Sequence, residues 1–348
     1  MRRDTPDKAT PMLQLKPLRD QAIVITGASS GIGLVTARTA ARAGASVLMV
    51  ARSEDVLREL VAELQAEGCR VEAKAADVGD AEAMKVAAAY AEDVFGRIDT
   101  WVNDAGVAIY ARLAETPLDE HERLFRTNYF GTVHGCQAAL PYLRKHGGAL
   151  ITVGSVASDM AAPVMGAYSA SKHAARAYVE VLRMELAEEG VPVSVTLVKP
   201  AGIDTPIAQH AANHEGGEAQ IPPPVYDPQL VADAILACAV TPTREITVGG
   251  AAKVQALFAA HFPAIYEWLA PKAARAFVDK DRVQPKPDNL KWGVHAGQER
   301  SGEHPAARKT SFYTAAALHP KTTAAVGLGG LALALAGVMV RRRAASNP

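Results

Sequence analysis

The chain has 348 residues, 37 basic and 37 acidic side chains, 49% hydrophobic and 21% charged residues. This length supports one large core, the composition excludes general disorder, and zero net charge removes the field that draws proteins to nucleic acid. Cys69, Cys136 and Cys238 are scattered without CxxC spacing, which speaks against a disulfide framework or a metal site and leaves a small-molecule partner as the expectation.

Residues 1–19 form a charged arm without an apolar run of signal-peptide length, so the catalytic part is expected in the cytoplasm. From 20 to 250, short β-branched runs alternate with longer amphipathic stretches. The strand candidates are 22–26, 46–50, 70–75, 100–103, 149–155, 193–199 and 245–248, and the main helical stretches are 53–67, 81–95, 118–145 and 167–189. Seven strands alternating with helices predict an α/β fold, a doubly wound Rossmann-type parallel sheet with helices on both faces.

The first strand runs into Thr26-Gly27-Ala28-Ser29-Ser30-Gly31-Ile32-Gly33, just before a helix. Glycines there allow a sharp turn that brings amide N–H groups and a helix N-terminus against a pyrophosphate; an ordinary Gly-rich turn is the alternative. The second strand ends at Ala51, Arg52 and Ser53 with no carboxylate. An arginine there suits the 2′-phosphate of NADP(H) better than the free hydroxyl of NAD(H), although it also reads as a solvated helix-start residue. After the third strand, Asp77-Val78 either meets an adenine amino group or belongs to the cap of the next helix.

Asn128 falls inside the long 118–145 stretch, where asparagine is a mediocre helix former, and implies either a bend holding a water or a plain polar contact. Ser155 lies at the C-terminal end of the fifth strand, where it is placed either to donate to a substrate carbonyl or to cap a turn. Tyr168 and Lys172 share one helical face. A phenol with an ordinary pKa of about 10 becomes a useful acid/base when an ammonium favours its anion.

Beyond the last strand, residues 251–280 read as helical with exposed aromatics (Phe258, Phe262, Tyr266, Trp268), and the polar stretch to 322 as a tether. Residues 323–340 are uncharged and precede a basic tail, 341–348, that opens with Arg341, Arg342 and Arg343. That run is long enough for a membrane anchor, with a buried or self-associating apolar helix as the alternative.

The series Thr26-Gly27-x-x-x-Gly31-x-Gly33, Asn103-Asp104-Ala105-Gly106, Asn128, Ser155 and Tyr168-x-x-x-Lys172 resembles the short-chain dehydrogenase/reductase family over residues 20 to about 250. The resemblance implies hydride transfer between NADP(H) and an alcohol or carbonyl compound. Tyr168 would be the acid/base, Lys172 would lower its pKa and bind the nicotinamide ribose, Ser155 would hold the substrate oxygen, and Asn128 a relay water. It also places Asn103, Ala105, Gly106, Pro200, Gly202 and Thr205 beside the cofactor, residues 203–227 in a mobile substrate-covering loop, and the chain in a homodimer or homotetramer. Two positions depart from the family pattern: Asp104 stands where Asn or Ser is usual, and Ala201 where glycine follows the proline. A membrane-tethered scaffold that binds NADP(H) without turnover is the alternative function. His210, His214 and Glu215 form only a loose set in a loop, read as solvated.

Overall fold

The computed structural model describes residues 13–293, 297–319 and Thr323. Seven parallel strands build the central sheet: β1 Ala22–Thr26, β2 Ser46–Ala51, β3 Val71–Ala75, β4 Thr100–Asn103, β5 Gly148–Val153, β6 Val193–Pro200 and β7 Glu245–Val248. Their spatial order is β3-β2-β1-β4-β5-β6-β7. Every residue of β1, β4 and β5 is buried, as expected where helices cover both faces. The predicted doubly wound fold is therefore present.

On one face α1 (Gly31–Arg42), α2 (Glu54–Ala66) and α7 (Pro228–Val240) bury Leu34, Leu57 and Ile235 in one core. On the other, α3 (Ala81–Phe95), α5 (Gly131–His146) and α6 (Gly166–Glu188) bury Met84, Leu143 and Leu182 around Trp101. Strand order reverses between β1, which leads to β2, and β4, which leads to β5. Ligands of such sheets bind above this switch point.

The stretch expected as one helix over 118–145 is divided. Helix α4 (Leu118–Phe125) passes through a π-helical turn, Arg126–Phe130, into α5. A turn of this kind inserts one residue into the helical ladder and often marks a functional site. Gly131 permits it locally, because a Cβ there would lie 2.6 Å from Val78 Cγ2.

The region after β7 is helical as read, with the helix divided. It holds two helices, α8 (Gly250–His261) and α9 (Pro263–Ala273), which leave Phe262 and Trp268 exposed but turn Tyr266 inward to donate to the Ala161 carbonyl. The described residues of the expected tether are laid across the domain. The Asn289 N–H donates to His210 O at 2.8 Å and the Arg308 N–H to Val225 O at 2.9 Å. Arg38 pairs with Glu299 at 2.7 Å, Arg300 with Asp227 at 2.9 Å, and Leu290 is 1% exposed. A final helix, α10 (Phe312–Leu318), is pinned where Thr314 Oγ1 accepts from the Gly249 N–H at 3.0 Å. The polarity that suggests a solvated linker is instead matched by partners on the domain surface.

Residues 324–348, nearly all of the apolar run and the whole basic tail, lie outside the described residues. Among the described residues no helix is long and apolar enough to cross a membrane.

Candidate active site

A cleft of about 580 Å³ opens at the C-terminal ends of the strands. Its floor is the turn after β1, where Gly27, Ser29, Ser30, Gly31 and Ile32 line it. The glycines are sterically required: a Cβ on Gly27 would lie 2.8 Å from the Ala105 backbone, and one on Gly33 2.4 Å from Gly27 O. Gly27 also has φ +73°, which only glycine adopts readily. Gly33 therefore shapes the turn from behind. Thr26 likewise works inward, accepting from the Asp104 and Ala105 N–H groups at 3.1 and 3.2 Å and so tying the β1 turn to the β4 loop.

At the end of β4 the Asn103 side chain is packed into the protein, accepting from Trp101 Nε1 at 2.8 Å and facing Cys136 and Thr152. Ala105 and Gly106 face the cleft, as do Pro200, Gly202 and Thr205 on the opposite wall. The departure at Ala201 leaves the strand end intact, since its N–H still donates to Val248 O at 2.9 Å.

Arg52, Ser53, Asp77 and Val78 line the far end of the cleft. Asp77 accepts from Arg123 Nη2 at 2.6 Å and from the Gly79 N–H at 2.8 Å, while Asp80, not Asp77, caps α3. Burial pushes the Asp77 carboxyl up, but Gly79 and Arg123 prevail and hold it below the usual range. The partly buried Arg52 donates to Asn289 O at 2.5 Å and to Leu290 O at 3.3 Å.

The four proton-transfer candidates converge at the other end. Ser155 faces the cleft and acts to lower the Tyr168 pKa. It also accepts from the Ala157 N–H at 3.1 Å, so it caps the turn that follows β5. Lys172 is 6% exposed and donates to Val153 O at 3.0 Å. Asn128, 1% exposed on the π turn, accepts from the Val107 N–H at 2.9 Å and donates to Val107 O and Ser171 Oγ at 3.0 and 3.1 Å. A Cβ on Gly106 would meet both Asn128 Oδ1 at 3.6 Å and Lys172 Nζ at 3.7 Å, so the two groups approach one point beneath the cleft.

The electrostatics differ from the expectation drawn from Tyr168 and Lys172 alone. Burial pushes the Tyr168 phenol up to about 12, with the Asp104 carboxylate adding to the rise and Ser155 opposing it. Burial lowers the Lys172 ammonium, and Asp104 opposes that. Asp104 is itself raised by burial and partly restrained by Lys172. The ammonium is thus bonded to a carbonyl and lies in the field of the Asp104 carboxyl, so Asp104, the visible departure from the family pattern, is part of the charge network. Its removal frees Tyr168 of a nearby negative charge. In Asp104→Asn the phenolate forms more readily, so the pH–rate curve for alcohol oxidation moves to lower pH; a profile superimposable on the parent's would exclude this coupling.

Substrate-side walls are apolar: Tyr110, Met160, Met165, Ile207, Ile221 and Phe277 line them. The segment 203–227 is tied down by three short strand pairs, Gly202–Ile203 with Val225–Tyr226, Ala212–Asn213 with Ile109–Tyr110, and Glu218–Ala219 with Val278–Asp279. His214 pairs with Glu120 at 2.8 Å, and half-buried His210 faces the cleft with its pKa lowered by burial. Sequence reasoning missed Met160, Tyr266, Phe277 and Asn289 as cleft residues; they lie far apart in the chain and carry no motif.

A sequence profile described as short chain dehydrogenase matches residues 21–216, more than half of the chain. The protein belongs to the short-chain dehydrogenase/reductase family. It is 40% identical to the "Uncharacterized oxidoreductase YxnA" of Bacillus subtilis (strain 168), over 93% of this chain and 92% of that one. It is also 38% identical to the "1-deoxy-11-beta-hydroxypentalenate dehydrogenase" of Streptomyces exfoliatus, over 59% of this chain and 76% of that one. Among solved structures, a short chain dehydrogenase from Burkholderia cenocepacia J2315 in complex with NADP superposes with TM-score 0.62 at 28% identity, over 73% of this chain and 99% of that one. An alcohol dehydrogenase from Thermococcus sibiricus complexed with 5-hydroxy-NADP gives TM-score 0.57 at 28% identity, over 65% and 95%. This short-chain dehydrogenase/reductase is therefore an oxidoreductase.

Proposed function

We propose that the protein is a carbonyl reductase that uses NADP(H) in preference to NAD(H) and takes an apolar ketone or aldehyde. The observation that carries this reading is the joining, in one cleft, of a glycine-shaped turn, a cationic end without a free carboxylate and the Ser155–Tyr168–Lys172 group. The residues fit a dinucleotide. Gly27, Gly31 and Ile32 would hold its pyrophosphate, with Ser29 and Ser30 beside them; Arg52 and Ser53 would hold the adenosine ribose, with Asp77 and Val78 near the base. Lys172, Ala105, Gly106, Pro200, Gly202 and Thr205 would flank the nicotinamide half, while Thr26, Gly33 and Asn103 keep the loops in place.

When bound, the nicotinamide supplies or accepts the hydride. Ser155 orients the substrate oxygen and stabilises its developing negative charge. Tyr168 gives that oxygen a proton during reduction and takes one during oxidation. A phenol pushed up to about 12 is predominantly protonated near neutrality, a state suited to donation and hence to reduction. Lys172, Asn128 and Ser171 offer a path for the replacement proton, with Asn128 holding the relay water. The apolar walls favour a substrate that leaves water with little polar surface to desolvate.

The cofactor preference is read by titrating the purified chain with NADPH and NADH. NADPH binds more tightly, and Arg52→Ala weakens it by about 10–100-fold, the loss of charge-assisted hydrogen bonds, while NADH affinity changes little. Tighter NADH binding by the parent chain would refute the preference. A homodimer or homotetramer through α5 and α6 belongs to the same reading and is supported by exposed Val181 and Met184 on α6; light scattering reads it directly.

A further inference from the structure

The two helices after β7 are held unevenly. Helix α8 buries Ala252 and Ala256, whereas α9, 11 residues long, buries none of its residues. An isolated helix shorter than about 12–15 residues is marginal in water, and helices in proteins draw most of their stability from an apolar face packed on the fold. Among the described residues α9 has little such packing. Its large apolar side chains are exposed instead: Phe262 at its start, then Ile265, Trp268 and Leu269, with Val254 and Leu257 of α8 adding to them. Ile265, Trp268 and Leu269 recur at three- and four-residue spacing and so share one helical face. Glu267, two residues from both Ile265 and Leu269, faces away from them.

The charges beside this face indicate what covers it. Over residues 250–277 the ionic side chains are Lys253, Lys272 and Arg275 against Glu267 alone, in a chain whose basic and acidic residues are equal in number. Pairing with a second copy through the same face would set these cations against one another, whereas an anionic surface complements them. Trp268 is 64% exposed, and the Lys272 ammonium stands 3.3 Å from its ring centroid. An indole capped by a lysine, whose apolar stem can lie in hydrocarbon while its ammonium reaches headgroups, suits the boundary of a bilayer.

Two features place this face where a lipid surface has a use. Tyr266, Ala270 and Ala273 of α9 line the cleft, as does Phe277 just beyond, so the helix that presents the apolar face also forms part of the substrate-side wall. Helix α10 is pinned beside the start of α8 through Thr314 and the Gly249 N–H, and it leads in the sequence toward the uncharged run 323–340.

We propose that α8 and α9 dock on the surface of an anionic lipid bilayer, with Ile265, Trp268 and Leu269 at the depth of the upper acyl chains and Lys253, Lys272 and Arg275 among the headgroups. An apolar substrate dissolved in the lipid then meets the cleft beside α9 without crossing water. That last step rests on the apolar-substrate reading; the docking does not.

The test uses the full chain carrying Trp292→Phe. This leaves Trp101, which is fully buried, and Trp268 as the tryptophans. Vesicles of phosphatidylcholine and phosphatidylglycerol in equal parts, with brominated acyl chains, quench an indole only on contact. The expected result is quenching of Trp268 with a blue shift, absent when Trp268→Phe is added. Vesicles of phosphatidylcholine alone bind about 10-fold or more weakly, because the cations lose their partners. In Ile265→Ser with Leu269→Ser, both exposed and outside the cleft, the affinity read by quenching falls about 10-fold or more while Tm is unchanged. Absence of quenching overturns the proposal even if the protein sediments with vesicles, since another segment would then hold it. A blue shift that needs no vesicles and grows with protein concentration also overturns it, because a second copy would be the partner. Quenching as expected, without turnover of any apolar ketone or aldehyde, would refute the substrate class and leave the docking surface in place.

Discussion

Tyr168→Phe lowers turnover by about 10²–10⁴-fold, the range associated with a single acid/base group, and leaves dinucleotide affinity within a few-fold of the parent. The substitution removes one hydroxyl from a ring that is 9% exposed and packed in the apolar cluster around the cleft, so the fold has little reason to change. The side chain that opposes the rise of the phenol's pKa is Ser155, which retains its bond to the Ala157 N–H. The deficit should fall on kcat, because the proton moves only in the transition state. Retained turnover would mean that another group handles the proton. Full turnover loss with intact binding would also dispose of the alternative in which the protein only binds cofactor, since a scaffold is indifferent to this hydroxyl.

Lys172→Met produces a comparable fall in activity and a second effect that Tyr168→Phe lacks. The ammonium is buried between Val153 O and the field of Asp104. Removing it leaves the Asp104 carboxyl without a compensating charge nearby, a change that destabilises the fold unless the carboxyl takes up a proton. Asp104, already raised by burial, is pushed further upward, so the stability loss grows as pH rises and the group is forced to ionise. Thermal melts across pH 5 to about 9 would show it. The double variant Lys172→Met with Asp104→Asn restores Tm and stays inactive, because the lost proton path and ribose contact are not replaced. Recovery of turnover in the double variant would reduce Lys172 to a counter-ion for Asp104.

These two variants separate kinds of information held at different levels. The periodicity of β-branched runs, the glycines of 27–33 and the Tyr168–Lys172 spacing are local features of the chain. They report alternating strands and helices, a tight turn and a shared helical face without reference to anything distant. The seven strands, the doubly wound order and the cleft position of Ser155, Tyr168 and Arg52 could be read from them. Where a residue's role depends on a partner far along the chain, local pattern gives no access to it. Asn128 illustrates this: the sequence shows an awkward residue in a helix, but only the packing of Val78 against Gly131 and the reach to Val107 explain the π turn that places it.

The raised pKa of Tyr168 has the same origin. Lys172 is four residues away and suggests a lowered pKa, whereas the tertiary structure adds burial and a carboxyl group contributed by the β4 loop, both of which raise it. The extension shows the largest gap. Residues 281–319 are polar enough to read as solvated, and solvation and specific pairing look alike in composition. Arg38 with Glu299, Arg300 with Asp227 and Arg52 with the carbonyls of Asn289 and Leu290 join residues 73 to 261 positions apart. The chain by itself determined the sheet and the glycine turn, because short-range sterics and periodic burial fix them. Tertiary structure alone decided the electrostatics of Tyr168, Lys172 and Asp104 and the wall that closes the Arg52 end of the cleft, because burial and long-range pairing exist only once the chain has folded.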